Sequence, residues 1–334
     1  MNKELNHSLT DWIVDHSDPL GLQVAEMTWP KQWKLGVFDF QVQLNVDSIP
    51  GVGRGIAASE DEALDRAASE ALERIIFKKK KLSSYSGVAL HPTLAQAKHH
   101  AAVEALERDS FFCHYLTRTQ PAEISDQLIQ SPFRRESLAE LENAGITFRA
   151  YSLPTLCSSY TCYACVSVGH KSKLSKYNFI LGLGCSNSPE EGLNKAYIEC
   201  VANTIAYLDQ YEPLNPLPLA EFSKLTAPTA TDHFRLALSM DVPLLFSGRP
   251  TSLKSPHTEF ARIDAISVST QSHKDLGMGD WPEFHFSSCD DEHFQNIFHG
   301  KISKSEINRK RLENFKGQPL PDLMSLETTP HPLG

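Results

Sequence analysis

The chain has 334 residues, of which 41% are hydrophobic, so it is long and apolar enough to fold around a substantial core. Its formal net charge of −9 argues against non-specific binding to nucleic acid or to an anionic membrane, because both need an excess of Lys and Arg. No apolar run reaches the roughly 18 residues of a membrane-spanning helix, and the N-terminus lacks the pattern of a signal peptide. We therefore expect a soluble, cytoplasmic protein.

The chain begins with two predicted strands, at residues 22–29 and 35–44. The second strand alternates between an apolar face, made of Phe38, Phe40, Val42 and Leu44, and a polar face, made of Asp39, Gln41 and Gln43. Such alternation is typical of a strand with one face on a core and the other in water. Residues 50–55 are then predicted to form a glycine-rich turn. Its three glycines suggest a close approach of the backbone to another group, although a plain loop is the simpler interpretation.

Three predicted helices begin with a capping serine or threonine and share one pattern. Ser59, Thr93 and Ser188 are the expected N-caps, and the helices should extend to about residues 78, 116 and 210. The first two helices contain an identical pentapeptide, at residues 70–74 and 104–108, whereas the third keeps only Glu199. In each copy a glutamate follows the cap by eleven residues. The pattern predicts an internal repeat.

The remaining elements are shorter. Residues 83–89 are predicted to form a short strand or turn, and residues 123–145 two short helices. Further strands are expected at residues 146–152, 160–168, 177–183, 244–247, 261–270 and 284–287, and helices at residues 220–240 and 304–316. No low-complexity linker divides the chain, so we predict one α/β (α+β) domain over residues 1–334. Its parts are N-terminal strands at 1–50, the repeat region at 51–212, a C-terminal α/β part at 213–318 and a proline-rich tail at 319–334.

The seven cysteines are an odd number in a large chain, which favours reduced thiols over a disulfide framework. Cys162 and Cys165 have the spacing of two zinc ligands. However, they lie in the predicted strand at 160–168, where positions 162 and 165 point to opposite faces. We prefer ordinary buried thiols, and a zinc site is the alternative.

The repeated glutamates are the candidate functional residues. In Glu-x-x-Glu on a helix the two carboxylates lie one turn apart on one face, and alanines at i and i+4 (Ala63 with Ala67, Ala97 with Ala101) let helices pack closely. If the copies pack together, five carboxylates converge: Glu70, Glu73, Glu104, Glu107 and Glu199. Such a cluster requires divalent cations, and hard oxygen ligands select Mg²⁺, which shares phosphate oxygens. The alternative is a solvated helix surface, but the repetition in register favours a site.

These residues resemble the YcaO family, over residues 20–210 well and over the C-terminal part loosely. Members carry a Gly-Lys-Gly turn before a first Glu-x-x-Glu-Arg helix and a Ser-Asn-Gly turn before a second, often with Asp after the arginine. A third helix carries a glutamate followed by a glutamine. The corresponding residues here are Gly53-Arg54-Gly55, Ser84 to Gly87 with Asp109, and Glu199 with Asn203. Arg54 stands in place of lysine, Ser86 in place of asparagine, Asn203 in place of glutamine, and Arg66 where many members have serine.

The resemblance implies a YcaO-type fold, with repeated strand, glycine-turn and helix units packed around a nucleotide site. It also implies an ATP- and Mg²⁺-dependent enzyme that phosphorylates a backbone amide oxygen after a nucleophile has attacked the amide carbon. A Cys, Ser or Thr nucleophile gives an azoline, sulfide a thioamide and an amine an amidine. The five glutamates would bind Mg²⁺, with Glu104 also catalytic. The nucleotide would contact Arg54, Glu70, Arg74, Ser84, Ser86, Glu104, Arg108, Glu199 and Asn203.

The last five residues, Pro330 to Gly334, resemble the proline-rich end of azoline-forming members, whose terminal carboxylate reaches the active site. This implies catalytic roles for Pro332 and Gly334, and a disordered tail is the alternative. We therefore expect a cyclodehydratase subunit that acts, as a homo- or hetero-oligomer, on a ribosomally synthesised precursor peptide. Its partners would be a separate leader-peptide-binding protein and, optionally, a flavin-dependent azoline dehydrogenase. The rivals are thioamide or amidine formation and a non-catalytic assembly subunit, the latter suggested by the substituted nucleotide contacts.

Overall fold

The computed structural model describes residues 9–27, 37–82, 87–124, 139–169, 171–172, 177–209, 215–226, 229–240, 258–295 and 307–320. The chain forms two compact units. The first comprises Met1–Trp29, Gly36–Glu104 and Ile266–Asp291, and the second Pro30–Leu35, Ala105–Ala265 and Glu292–Gly334. Among the described helices, including the 24-residue helix at Leu94–Thr117, we find no candidate membrane span.

The described chain contains both single helices and runs of consecutive strands, in agreement with the predicted α/β (α+β) class. In chain order they are α1 (Leu9–Asp15), α2 (Ser17–Leu20), β1 (Gln23–Glu26), β2 (Phe38–Val46), β3 (Ile49–Ala57), α3 (Glu60–Lys80), β4 (Val88–His91), α4 (Leu94–Thr117), β5 (Ala122–Ile124), β6 (Thr147–Pro154), β7 (Thr161–Val168), β8 (Ile180–Ser186), α5 (Pro189–Asp209), α6 (Leu219–Phe222), α7 (Ala230–Ser239), β9 (Val268–Ser272), β10 (His285–Cys289) and α8 (Arg309–Lys316).

The described strands form three antiparallel sheets. In the first unit one sheet has the order β1-β2-β3 and another the order β4-β10-β9. In the second unit four strands pair in the order β5-β6-β7-β8. The caps at the first and third repeat helices are confirmed, because the Ser59 and Ser188 hydroxyls accept the backbone N–H of Glu62 and Glu191 at 3.4 and 3.5 Å. The Thr93 hydroxyl contacts the His91 ring.

Three sequence predictions are wrong. The glycine-rich segment at 50–55 is not a turn but the middle of β3. Residues 122–124 form β5, where the prediction placed the start of a helix. The strand predicted at 261–270 begins only at Val268, after a short 3-10 helix at Ile263–Ala265. The strand predicted at 244–247 and the tail at 321–334 lie outside the described residues.

The glycines of β3 are needed because α3 lies directly on that strand. A Cβ atom at Gly53 would overlap the backbone oxygen of Ala67 and the backbone nitrogen of Ala71. Gly182 occupies the same repeat position in β8, and a Cβ there would overlap the backbone of Ala196 and Cys200 in α5. The small residues of α3, predicted to let helices approach each other, therefore face a strand.

Burial in β2 follows the predicted apolar face with two exceptions. Phe40, Val42 and Leu44 are buried, but Phe38 is partly exposed. Asp39, predicted on the wet face, is 1% exposed. Inside the first unit Arg54 on β3 forms a bidentate ion pair with it, with Nε–Oδ1 and Nη2–Oδ2 distances of 2.9 and 2.6 Å. The prediction for Asp39 was wrong because alternation reports the direction of a side chain, not what covers it.

A second buried ion pair anchors α8 to α4 in the second unit. Arg311 contacts both carboxylate oxygens of Asp109, with an Nη2–Oδ2 distance of 2.6 Å, and both residues are almost completely inaccessible to solvent. The backbone N–H of Gln295 also donates to Asp109 at 2.8 Å. The aspartate that follows the second Glu-x-x-Glu-Arg therefore holds α8 in place.

Replacing Gly53 with alanine should reduce the free energy of unfolding by roughly 2–3 kcal/mol, because the new methyl group must push α3 off β3. Gly279→Ala is the matched control, since nothing lies within 4 Å of a Cβ there. Chemical denaturation of both variants checks the prediction. Equal stabilities of the two variants would contradict it.

Arg311→Met should lower the free energy of unfolding by roughly 3–5 kcal/mol, because it leaves the Asp109 carboxylate buried without its cation. Arg309→Met on the same helix should cost about 1 kcal/mol or less, since its ion pair with Glu313 is partly exposed. Thermal unfolding of the two variants separates the cases. Similar losses of stability in the two variants would show that the buried ion pair contributes no more than the partly exposed one.

Candidate functional site

In each repeat a glutamate carboxylate accepts a hydrogen bond from the strand that precedes its helix. The donors are backbone N–H groups, and donor and acceptor are 16 residues apart in every copy. The pairs are Arg54 with Glu70 at 2.7 Å, Val88 with Glu104 at 2.8 Å and Leu183 with Glu199 at 3.1 Å. The repeat predicted from the sequence is therefore also a repeat of hydrogen-bond geometry.

Three of these carboxylates interact in the first unit, and we call Glu70, Glu73 and Glu104 the acidic triad. Glu73 accepts the Leu90 N–H at 2.6 Å. Burial raises the pKa of Glu73 well above its usual range, and the negative charges of Glu104 and Glu70 raise it further. The positive charge of Arg74 lowers the pKa of Glu73 only weakly. The Arg74 guanidinium also forms a partly exposed ion pair with Glu70, at 2.5 Å. Within the triad, two negative charges therefore act on Glu73 against one weak positive charge.

Two further carboxylates, Glu107 on α4 and Glu199 on α5, interact in the second unit, and we call them the α5 pair. Burial raises the pKa of Glu199 to about 7, and Glu107 raises it too. The positive charges of Arg108 and Lys195 act in the opposite direction. Lys195 Nζ lies 3.0 Å from Glu107 Oε2. This pair therefore has positively charged neighbours of its own.

Thiols line the same part of the second unit. Cys162 on β7 pairs in register with Cys185 on β8, and its sulfur lies 3.7 Å from the Glu107 carbonyl oxygen. All seven cysteines are free thiols. Within the described ranges, no group of three or more His, Cys, Asp or Glu side chains is arranged to hold a metal ion. Burial raises the pKa of both Cys162 and Cys185, as expected of ordinary buried thiols.

The other predicted nucleotide contacts have separate positions. The Arg54 guanidinium is engaged by Asp39. Arg108 lies near enough to Glu199 to lower its pKa, and Asn203 follows Glu199 by one turn of α5. Four predicted site residues lie outside the described part of the chain: Ser84, Ser86, Pro332 and Gly334.

Two residues beside the glutamates, Asp39 and Lys195, were not predicted from the sequence as part of the site. No sequence signal marked Asp39, because its burial depends on the partner strand. Lys195 had a signal: it stands four residues before Glu199, as Arg66 stands four before Glu70 and His100 four before Glu104. Alignment of the three repeats would have shown a basic side chain at this position in every copy.

Without divalent cations, the free energy of unfolding should decrease as pH rises from about 4.5 to about 7, in part because of Glu199. The unfolded chain loses the Glu199 proton first, since its pKa is lower there, so deprotonation favours unfolding in this window. Glu199→Gln should flatten that part of the profile while still accepting the Leu183 N–H. Denaturation at several pH values in a chelator, with the exposed Glu140→Gln as control, measures this. An unchanged slope in Glu199→Gln would contradict it.

Comparison with known proteins identifies relatives of this architecture. The family model described as "YcaO cyclodehydratase", ATP- and Mg²⁺-binding, matches residues 78–265. The E. coli microcin synthetase McbBCD complex contains a similar chain at 12% identity, with a TM-score of 0.60 and coverage of 92% of this chain and 96% of that one. The same complex with pro-MccB17 bound gives a TM-score of 0.59 at 12% identity, with the same coverage of 92% and 96%.

A heterocyclase in complex with substrate and cofactor is similar at 11% identity and a TM-score of 0.60 over 97% of this chain. The chain spans 57% of that heterocyclase. At these identities the solved structures establish the fold, whereas the family rests on the family model. No curated protein matches the chain.

Proposed function

The chain belongs to the YcaO family of ATP- and Mg²⁺-binding cyclodehydratases, and on that premise we propose that it converts Cys, Ser or Thr residues of a ribosomally synthesised precursor peptide to azolines. The observation that carries the proposal is the acidic triad, in which the negative charges of Glu104 and Glu70 act on the desolvated Glu73 carboxylate and Arg74 opposes them only weakly. Carboxylates held in this state by strand N–H groups need a cation.

The donor chemistry of both acidic sets fits Mg²⁺. This ion prefers hard oxygen ligands and is usually bound by one or two carboxylates together with water and substrate phosphates. Carboxylate oxygens are what the triad and the α5 pair offer, and a site completed by phosphates needs no closed group of protein ligands. We therefore propose Glu70, Glu73, Glu104, Glu107 and Glu199 as the residues that hold Mg²⁺.

The chain's own residues would have distinct tasks. ATP bound with Mg²⁺ supplies the phosphoryl group that converts the peptide amide oxygen into a leaving group. Glu104 is held by the Val88 N–H, which fixes one of its carboxylate oxygens. Arg74 lies next to Glu70 and Arg108 lies near Glu199, where their guanidinium groups would contact phosphate oxygens.

Partner proteins are part of the proposal. One neighbour in the comparisons is a subunit of a synthetase complex, and that complex has also been solved with pro-MccB17 bound. By analogy we propose that this chain works with a separate protein that binds the leader of the precursor, and optionally with a flavin-dependent azoline dehydrogenase.

A non-catalytic assembly subunit is the second candidate, and Arg54 is the observation that favours it. The resemblance assigns this residue to the nucleotide, yet its guanidinium holds the buried Asp39. Calorimetric titration of the purified complex with ATP and Mg²⁺ separates the two candidates. Absence of binding would favour the assembly role.

Glu104→Gln should abolish ATP hydrolysis and peptide modification, by at least about a hundredfold, because it removes a negative charge from the triad. The fold should persist, since the amide oxygen can still accept the Val88 N–H. The exposed Glu140→Gln is the control, and an ATPase assay with mass spectrometry of the precursor is the measurement. Wild-type turnover in Glu104→Gln would refute the metal role. A product in which sulfur has replaced the amide oxygen would point to thioamide formation, and one in which an amine nitrogen is bonded to the former amide carbon would point to amidine formation.

A further inference from the structure

Lys195 gives the α5 pair a counter-ion from within the protein. It lies on α5 one turn before Glu199, and its Nζ donates to Glu107 Oε2 at 3.0 Å. The Glu107 side chain is 6% exposed, whereas that of Lys195 is 53% exposed. The ammonium group therefore reaches a buried carboxylate from the solvent side on a flexible stem.

The charges of the α5 pair are opposed from within the protein. Its two carboxylates lie near two basic side chains, Arg108 and Lys195, so the charges cancel formally. A divalent cation that binds there meets charge that the protein has already neutralised.

We propose that Lys195 is a positioning residue that competes with a divalent cation for Glu107. In the metal-free protein its ammonium holds the Glu107 carboxylate in place, and a cation that binds there must displace it. The proposal rests on the proposed role of these glutamates as Mg²⁺ ligands. It adds that Lys195 lowers the affinity of the α5 pair for a divalent cation.

Removing the ammonium should therefore have two effects. Lys195→Met leaves the α5 pair with Arg108 as its cation, so the affinity of this pair for a divalent cation should rise by about tenfold or more. The same variant should unfold at a lower temperature without metal, because two buried carboxylates have lost a counter-charge, and Mg²⁺ should restore much of the loss. If Lys195 served only in packing, replacing it would not change the affinity for metal.

The experiment uses the full chain without peptide, with and without a non-hydrolysable ATP analogue, and Mn²⁺ is the probe. Electron paramagnetic resonance counts free and bound Mn²⁺, and thermal unfolding is followed with and without MgCl₂. Lys195→Met and Lys195→Gln should bind Mn²⁺ more tightly than wild type, and Glu107→Gln added to Lys195→Met should remove the gain. Lys195→Arg should behave as wild type, and Lys224→Met, at an exposed position in the same unit, is the matched control.

Mn²⁺ binding in Lys195→Met and Lys195→Gln that equals wild type would overturn the inference. This result is separate from the test of the proposed function. If Glu104→Gln loses turnover while Lys195→Met binds Mn²⁺ as wild type does, the proposed function is supported and the competition of Lys195 with the cation is refuted. If Glu104→Gln keeps its activity while Lys195→Met binds Mn²⁺ more tightly, the proposed function is refuted and the role of Lys195 is supported.

Discussion

The hydrogen bond from a strand N–H to the glutamate of the following helix organises this protein. It occurs three times, each across 16 residues, and it requires the helix to lie directly on the strand. Gly53 and Gly182 permit that approach in the first and third copies, because any side chain there would meet the helix backbone. The hydrogen bond in turn draws a carboxylate into the protein, where it is hard to keep charged.

Burial of these negatively charged carboxylates is energetically costly, and the counter-charges near them differ between the two units. In the first unit burial raises the pKa of Glu73, the charges of Glu104 and Glu70 raise it further, and Arg74 lowers it only weakly. In the second unit Lys195 and Arg108 oppose the charge of Glu107 and Glu199. Lys195 is therefore a counter-charge that the chain itself supplies to these carboxylates.

Other buried charges are structural. Asp39 with Arg54, and Asp109 with Arg311, are bidentate pairs whose partners come from different elements. Arg54 lies inside, and Asp109 directly after, a motif that the resemblance assigns to the nucleotide site. A charged residue near a functional motif can thus serve the fold, and only its contacts distinguish the two roles.

The sequence alone was enough to predict β6, β7 and β8 of the second unit, the three repeat helices, the repeat itself and, by resemblance, the family. These features depend on local periodicity, capping residues and spacing, which are visible in one chain. The glycines at 51, 53 and 55 were misassigned to a turn, since their local preference for turns is overridden by the helix that covers β3.

The tertiary structure decided which charges meet. The burial of Asp39, the contact of Lys195 with Glu107 and the anchoring of α8 through Arg311 join residues 15, 88 and 202 positions apart. No local pattern reports such contacts, because they depend on how sheets and helices pack. Composition, spacing and periodicity therefore determined the elements and the candidate glutamates, and packing alone decided how their charge is balanced.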